Sequence, residues 1–163
     1  MLEENEDLRR SEIMDRVAGM VNSDASDEAV LGDVVRLLHD ANPSWDWVGI
    51  YLLVGDTLVV GPHTGEYPEH SHIAVGEGVC GTAVAEGSNQ VVADVREREN
   101  YLACSLSTRS EIVVLIREGK RIVGQFDVDS DEEEAFTEED EALLAELAEL
   151  LAPRCASLLA KAL

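Results

Sequence analysis

Between Gly76 and Asp129 the chain gathers the side chains best suited to chemistry. Cys80 stands in Gly-Glu-Gly-Val-Cys-Gly-Thr-Ala, Cys104 in Asn-Tyr-Leu-Ala-Cys-Ser-Leu-Ser-Thr, and Glu111 in Ser-Glu-Ile-Val-Val; Asp127 and Asp129 share Phe-Asp-Val-Asp-Ser. Two thiols and three carboxylates in a short apolar module suit a site that handles a small polar molecule through sulfur chemistry. The thiolate is the reactive form of cysteine, and a helix N-terminus favours it. Gly-Val-Cys-Gly precedes a short helix expected over Gly81 to Glu86, which Gly87 stops. Cys80 is thereby placed for activation, the alternative being a buried turn cysteine. Cys104 falls in a polar loop with Arg109 nearby in sequence, an accessible setting. Cys155, among Ala and Leu on the last helix, reads as core.

Asp127 and Asp129 point to one face of their strand and Val128 to the other. Glu111 heads the neighbouring strand, so the three carboxylates can converge. Crowded carboxylates do not all ionise without penalty: one takes a raised pKa and becomes a proton donor, unless a cation sits among them. The alternative is a solvated strand end in a very acidic protein. His70 and His72 lie close in sequence to Cys80, but no convincing fourth ligand and no paired Cys-x-x-Cys accompany them, so no metal is expected there. The chain carries no Gly-x-Ser-x-Gly, P-loop or dinucleotide fingerprint, and no cofactor is expected.

The elements that must hold these residues follow from periodicity. Apolar positions at Ile13, Met14, Val17 and Met20 predict a helix from about Leu8 to Val21. A second carries Val30, Leu31, Val34, Val35, Leu37 and Leu38 and ends at Asn42-Pro43. Trp45 to Val54 reads as a strand turning at Gly55-Asp56 into Thr57 to Val60. On it Trp45, Trp47, Gly49 and Tyr51 share a face, and the small Gly49 leaves room for something to approach. Gly61 to Ser71 is loop-like, Ile73 to Val75 and Gln90 to Val95 are short strands, and Arg96 to Ser107 is a polar loop. Glu111 to Arg117 and Arg121 to Val128 form a hairpin, and Asp129 to Glu134 is an acidic connection. Thr137-Glu138-Glu139-Asp140 resembles a capping box opening a helix with Leu143, Leu144, Leu147, Leu150 and Leu151 on one face, which Pro153 is expected to bend or break. Helices, then strands, then a helix argue α+β with an antiparallel sheet. The expectation is one domain over 1–163: N-terminal helices in 1–42, sheet and site loops in 43–130, and the C-terminal helix in 137–162.

Charge narrows the setting. Against 34 acidic residues stand 12 basic ones, a net of −22 over 163 residues, and only Lys120 and Lys161 are lysines. Such self-repulsion strains a compact state in dilute buffer, whereas at about 1 M salt the Debye length falls to about 3 Å. Concentrated intracellular salt, a halophilic setting, is therefore expected. No basic stripe is present to neutralise phosphates, which argues against nucleic acid. No apolar run approaches the roughly 20 residues needed to cross a bilayer. The acidic start Met-Leu-Glu-Glu-Asn-Glu-Asp lacks a secretory pattern, and a cytoplasmic location is expected. Three cysteines in a reducing compartment are no disulfide framework.

These motifs together resemble the free methionine-(R)-sulfoxide reductases of the GAF family. The resemblance runs through Trp-Val-Gly-Ile-Tyr-Leu-Leu (47–53), Leu-Val-Val-Gly-Pro (58–62), Gly-Glu-Gly-Val-Cys-Gly-Thr-Ala-Val-Ala (76–85), Val-Ala-Asp-Val (92–95), Leu-Ala-Cys (102–104), Ser-Glu-Ile-Val-Val (110–114), Phe-Asp-Val-Asp-Ser (126–130) and Phe-Thr-Glu-Glu-Asp (136–140). It implies a GAF-like central antiparallel sheet with flanking helices and a homodimer. It implies that Cys104 attacks the sulfoxide sulfur of free methionine sulfoxide, that another thiol captures the sulfenic acid, and that a thioredoxin-like or small-thiol reductant reopens the disulfide. Trp47 and Tyr51 would enclose the methyl and sulfur end, while Glu111, Asp127 and Asp129 would grip the ammonium group and polarise the sulfoxide oxygen. The residues alone favour Cys80 as the activated thiol; the resemblance assigns that role to Cys104 and is followed. The family has a further cysteine at about the place of His70. Here Cys80 resolves the sulfenic acid, an external thiol does so, or the module binds a small ligand as a sensor without catalysis. A structural protein using its acidic surface would show neither turnover nor ligand.

Overall fold

A computed structural model describes residues 2–98 and 107–162. Its elements in order are α1 (Leu2–Val21), α2 (Asp27–Ala41), β1 (Trp47–Val54), β2 (Thr57–His63), β3 (His72–Ala74), α3 (Gly78–Glu86), β4 (Gln90–Val92), a 3-10 turn (Val95–Glu97), β5 (Ser110–Glu118), β6 (Arg121–Ser130) and α4 (Glu138–Ala162). Among the described residues the strands form one six-stranded sheet in the order β3-β2-β1-β6-β5-β4, every neighbour antiparallel. The α+β architecture and the antiparallel sheet are as expected.

Alternation along the central strands divides the molecule into two cores. Val48, Ile50, Ile112, Val114, Phe126 and Val128 face α1, α2 and α4 in the larger one. Tyr51, Val113 and Leu115 face the opposite way, with Val79, Cys80 and Ala83 of α3. At about 25 cal/mol per Å² of apolar surface, these cores supply the main drive for folding. Ser26 caps α2 by accepting from the Ala29 amide. The reciprocal bonds Asp140 N to Thr137 Oγ1 (3.2 Å) and Thr137 N to Asp140 Oδ2 (2.9 Å) open α4 as a capping box with aspartate in the usual glutamate position. Arg154 on α4 donates to the carbonyls of Val21, Ser23 and Ala25 and to Asp27, tying the α1–α2 connection to the last helix. None of the described helices is long and apolar enough to cross a membrane.

Several boundaries differ from expectation. Helix α1 begins at Leu2 rather than Leu8, since its opening Leu and Glu residues favour helix and no proline interrupts it. Trp45 lies outside β1, on a turn closed by its amide to the Asn42 carbonyl at 2.9 Å. It packs on Phe136 in the helix-side core instead of joining Trp47 and Tyr51. Strand β2 runs on to His63 beyond the expected Val60, and β6 takes in Asp129 and Ser130 in place of the expected connection. Strand β4 stops at Val92, and Val95 to Glu97 form the 3-10 turn. Most plainly, α4 continues through Pro153. Pro153 and the residue one turn before it, Glu149, are both exposed. The carbonyl freed by the missing N–H therefore faces water, while Leu151, Ala152 and Cys155 stay packed in the core.

Candidate functional site

Strand register builds the site row by row. Trp47, Asp129, Glu111 and Val92 lie on one line across β1, β6, β5 and β4. The next line is His63, Gly49, Asp127, Val113 and Gln90, and the third is Val60, Tyr51, Gln125 and Leu115. A register shift between Gly49 and Tyr51 admits His63 into this set. The pairing gathers Trp47, Tyr51, Glu111, Asp127 and Asp129 on one face; spacing predicts the convergence of the acids and the shared face of the two aromatics, and the resemblance predicts that the two sets meet.

Cys80 arrives from above. It lies in the first turn of α3, not before the helix as expected, because the helix starts at Gly78. Glycine is needed next to it: a Cβ on Gly81 would stand 2.4 Å from the Ala74 carbonyl oxygen. That close approach seats α3 on the end of β3 and brings the Cys80 thiol onto β5, where Sγ donates to Glu111 Oε2 at 3.9 Å. Cys80 Sγ, a Glu111 oxygen and an Asp127 oxygen lie within 4.8 Å of one another.

The acids are deeply buried. Glu111 and Asp129 are each 4% exposed and Asp127 is 0%, which removes the solvated strand end as an alternative. Burial raises the Asp127 pKa above the usual carboxylate range, against a smaller opposing pull from the neighbouring Glu111 and Cys80. Asp129 is raised well above that range by burial and then by the charge of Asp127. Ionised carboxylates only accept. Unless one of the group carries a proton, the Asp127 oxygens and Asp129 Oδ1 find no hydrogen-bond partner among the described residues. The cluster is built to hold protons or a cation.

Aromatic side chains wall this cluster. Trp47 donates from Nε1 to the Glu66 carbonyl at 3.1 Å and stacks on His63, with centroids 5.6 Å apart and planes at 20°. Tyr67, 69% exposed, meets the His63 edge at 5.7 Å. Tyr51 lies 6.3 Å from Trp47 and donates its hydroxyl to the His70 carbonyl at 3.0 Å. The room at Gly49 is taken by the indole itself, since a Cβ there would stand 2.3 Å from Trp47 Cη2. The space that the sequence suggested for a visitor is used to fold Trp47 flat over the sheet.

Other expected residues fall elsewhere. Cys104, with Leu102 and Ala103 of its motif, lies outside the described residues. Cys155 is in the core as expected. His72 is exposed on the edge strand β3 and bonds Ser71 Oγ through Nδ1, and the grouping around Cys80 includes neither His70 nor His72. Two residues were missed. Gln125 is fully buried with neither amide atom partnered among the described residues, and its period-two spacing from Asp127 pointed to it. His63 falls in a stretch whose sequence reads as loop, and only the bulge in the β1–β2 pairing reveals it.

Residues 24–153 match the GAF domain family model. The chain is 40% identical over 128 residues to the free methionine-R-sulfoxide reductase of Escherichia coli (strain K12), covering 76% of this chain and 77% of that protein. The free methionine-R-sulfoxide reductase from Neisseria meningitidis in complex with its substrate superposes with a TM-score of 0.85 at 35% identity, covering 94% of this chain and 92% of the other. The type II free methionine-R-sulfoxide reductase from Thermoplasma acidophilum gives 0.78 at 37% identity, covering 80% and 93%.

Proposed function

This chain belongs to the GAF domain family, and we propose that it reduces free L-methionine (R)-S-oxide to methionine. The observation that carries the reading is the buried group of Glu111, Asp127 and Asp129 facing the Cys80 thiol beside Trp47 and Tyr51. A free amino acid presents an ammonium group, which answers the need of crowded buried carboxylates for positive charge. A sulfur with its methyl group suits the indole and phenol faces. The names of the similar proteins point the same way.

In this reading Cys104 is the nucleophile. Its thiolate attacks the sulfoxide sulfur while a protonated acid of the Glu111, Asp127, Asp129 group donates to the oxygen. The oxygen ends on Cys104 as a sulfenic acid and methionine departs, so the substrate gains two electrons and the cysteine loses two. The Cys80 thiol then attacks the Cys104 sulfur, releasing water and forming a disulfide. A thioredoxin-like or small dithiol supplies the two electrons that reopen it. His70 stands about where the family carries a further cysteine, so the resolving role passes to Cys80. The working unit is the single domain over 1–163, paired as a homodimer in a salt-rich cytoplasm that screens its charge.

The test is methionine formation from free methionine (R)-sulfoxide with a dithiol in concentrated salt, on the natural chain and on Cys104→Ser. Turnover abolished by that change supports the scheme; turnover that survives it removes Cys104 as the nucleophile. No turnover with any reductant, together with tight binding of another metabolite, replaces the reductase with a ligand-binding sensor.

A further inference from the structure

The same donors form a metal set in which Cys80 joins the acids rather than His70 and His72. One sulfur and two carboxylate oxygens from Cys80, Glu111 and Asp127 lie within 4.8 Å of each other, all three residues buried. Beside them Asp129 Oδ1, 96% buried by its 4% exposure, has no hydrogen-bond partner among the described residues, and neither Asp127 oxygen has one. We propose that this cluster binds one zinc-class divalent cation through Cys80, Glu111 and Asp127, with Asp129 at hand as a fourth donor, and that the bound ion inhibits the enzyme.

The donor chemistry selects the class of ion. Magnesium and calcium take six or more oxygen ligands. A thiolate with carboxylates and a coordination number of four suits zinc and its softer relatives. Zinc–sulfur bonds of about 2.3 Å and zinc–oxygen bonds of about 2.1 Å place tetrahedral sulfur and oxygen donors about 3.6 Å apart. The Cys80–Glu111 separation of 3.9 Å is already close to that value. The remaining separations are at most 4.8 Å. On binding, the Cys80 thiol proton and any carboxyl protons leave to solvent as the metal–ligand bonds form, and no electrons move.

Inhibition follows from competition for the same groups, and this half rests on the reductase reading. An ion held by Glu111 and Asp127 takes the place of the substrate ammonium, and a coordinated Cys80 is withheld from disulfide formation. The binding half stands on the donor geometry alone.

The experiment uses the reduced, resting protein without substrate. Cadmium titration followed by the ultraviolet thiolate-to-cadmium charge-transfer band, with zinc calorimetry beside it, should show one ion per chain. Cys80→Ser should abolish the band. Asp127→Asn should weaken zinc by at least about 10- to 100-fold, the scale already seen for disturbing residues that merely support a ligand. Cys155→Ser should leave band and affinity unchanged. Absence of both band and heat, a band that survives Cys80→Ser, or zinc affinity indifferent to Asp127→Asn each overturns the site. Should Cys80→Ser fail to fold by circular dichroism, the Asp127→Asn affinity and the zinc-induced rise in Tm of the natural chain decide. Added methionine sulfoxide should lower the apparent zinc affinity, and lack of competition overturns the inhibitory half. A chain that binds the ion but never turns over even when stripped of metal by a chelator sinks the reductase reading and leaves the site standing; turnover without ion binding does the reverse.

Discussion

Gly49→Ala tests the architecture of the aromatic wall with a single methyl group. The new Cβ would stand 2.3 Å from Trp47 Cη2, 2.6 Å from Cζ3 and 3.1 Å from Cζ2. Carbon–carbon contacts settle at about 3.5–4.0 Å, so the indole must retreat by more than about 1 Å. Its anchors resist: the hydrogen bond to the Glu66 carbonyl and the stack on His63. Losing the first costs about 0.5–1.5 kcal/mol and losing the second a similar amount. The expected outcome is a loss of about 1–3 kcal/mol, which appears in KM for methionine sulfoxide as roughly a 5- to 150-fold rise with kcat little changed, as for lost ground-state binding. Steady-state kinetics and tryptophan fluorescence measure both effects. The decisive control is the Trp47→Ala background, where the added methyl meets nothing large and Gly49→Ala should have almost no further effect. Equal losses with and without the indole would refute the argument, as would unchanged KM in the single variant.

Asp129→Asn should raise stability near neutral pH while suppressing turnover. Its folded pKa lies well above the unfolded value, so its contribution is fully present below about pH 4 and is lost as pH rises through the folded pKa. An amide that never ionises should gain about 1–3 kcal/mol at pH 7 by urea denaturation, and a lower Tm there would contradict this. Asp27 behaves oppositely: hydrogen bonds from Lys161, then Ser157 and Arg154, hold its pKa down to about 2 from 3.8. Its contribution is present above pH 4 and lost as pH falls toward 2. Because the Lys161 side chain is 67% exposed, the gain is discounted to about 1 kcal/mol. Comparing Asp27→Asn with the natural chain at both ends of that window should show the difference at the upper end alone. Cys155, with no exposed surface and its pKa pushed up to about 12 by burial and then by the charge of Asp27, should resist alkylation in the folded protein. Peptide mass spectrometry that finds it labelled before unfolding would place it outside the core.

The chemistry-bearing side chains were legible because strand periodicity is strict. Asp127, Asp129 and Glu111 needed only a hairpin pairing to converge, and Trp47 with Tyr51 needed only alternation. What escaped depended on contacts between distant segments. Trp45 obeyed the alternation on paper but was drawn to Phe136 by tertiary packing. His63 enters the site through a bulge, which no local pattern announces. Pro153 carries a strong local signal against helix, overridden where the loss falls on the solvent side and the core side holds. The depth of burial that separates these three carboxylates from a solvated strand end likewise shows only once α3 is seated over them.

Along β6 the residues Gln125, Asp127 and Asp129 alternate with Phe126 and Val128. A slip of one residue would drive an amide and two carboxyls into the helix-side core and expel the apolar pair into the cleft. The penalty for unpaired groups in that core, about 1–3 kcal/mol each and more if charged, is a large fraction of a whole domain's stability. The strand is thus self-proofreading: chains that mispair it do not stay folded, and chains that stay folded already hold their acids in place. Single-residue insertions within β6 should therefore abolish folding and activity together, whereas lengthening at the Gly119-Lys120 hairpin tip should spare both.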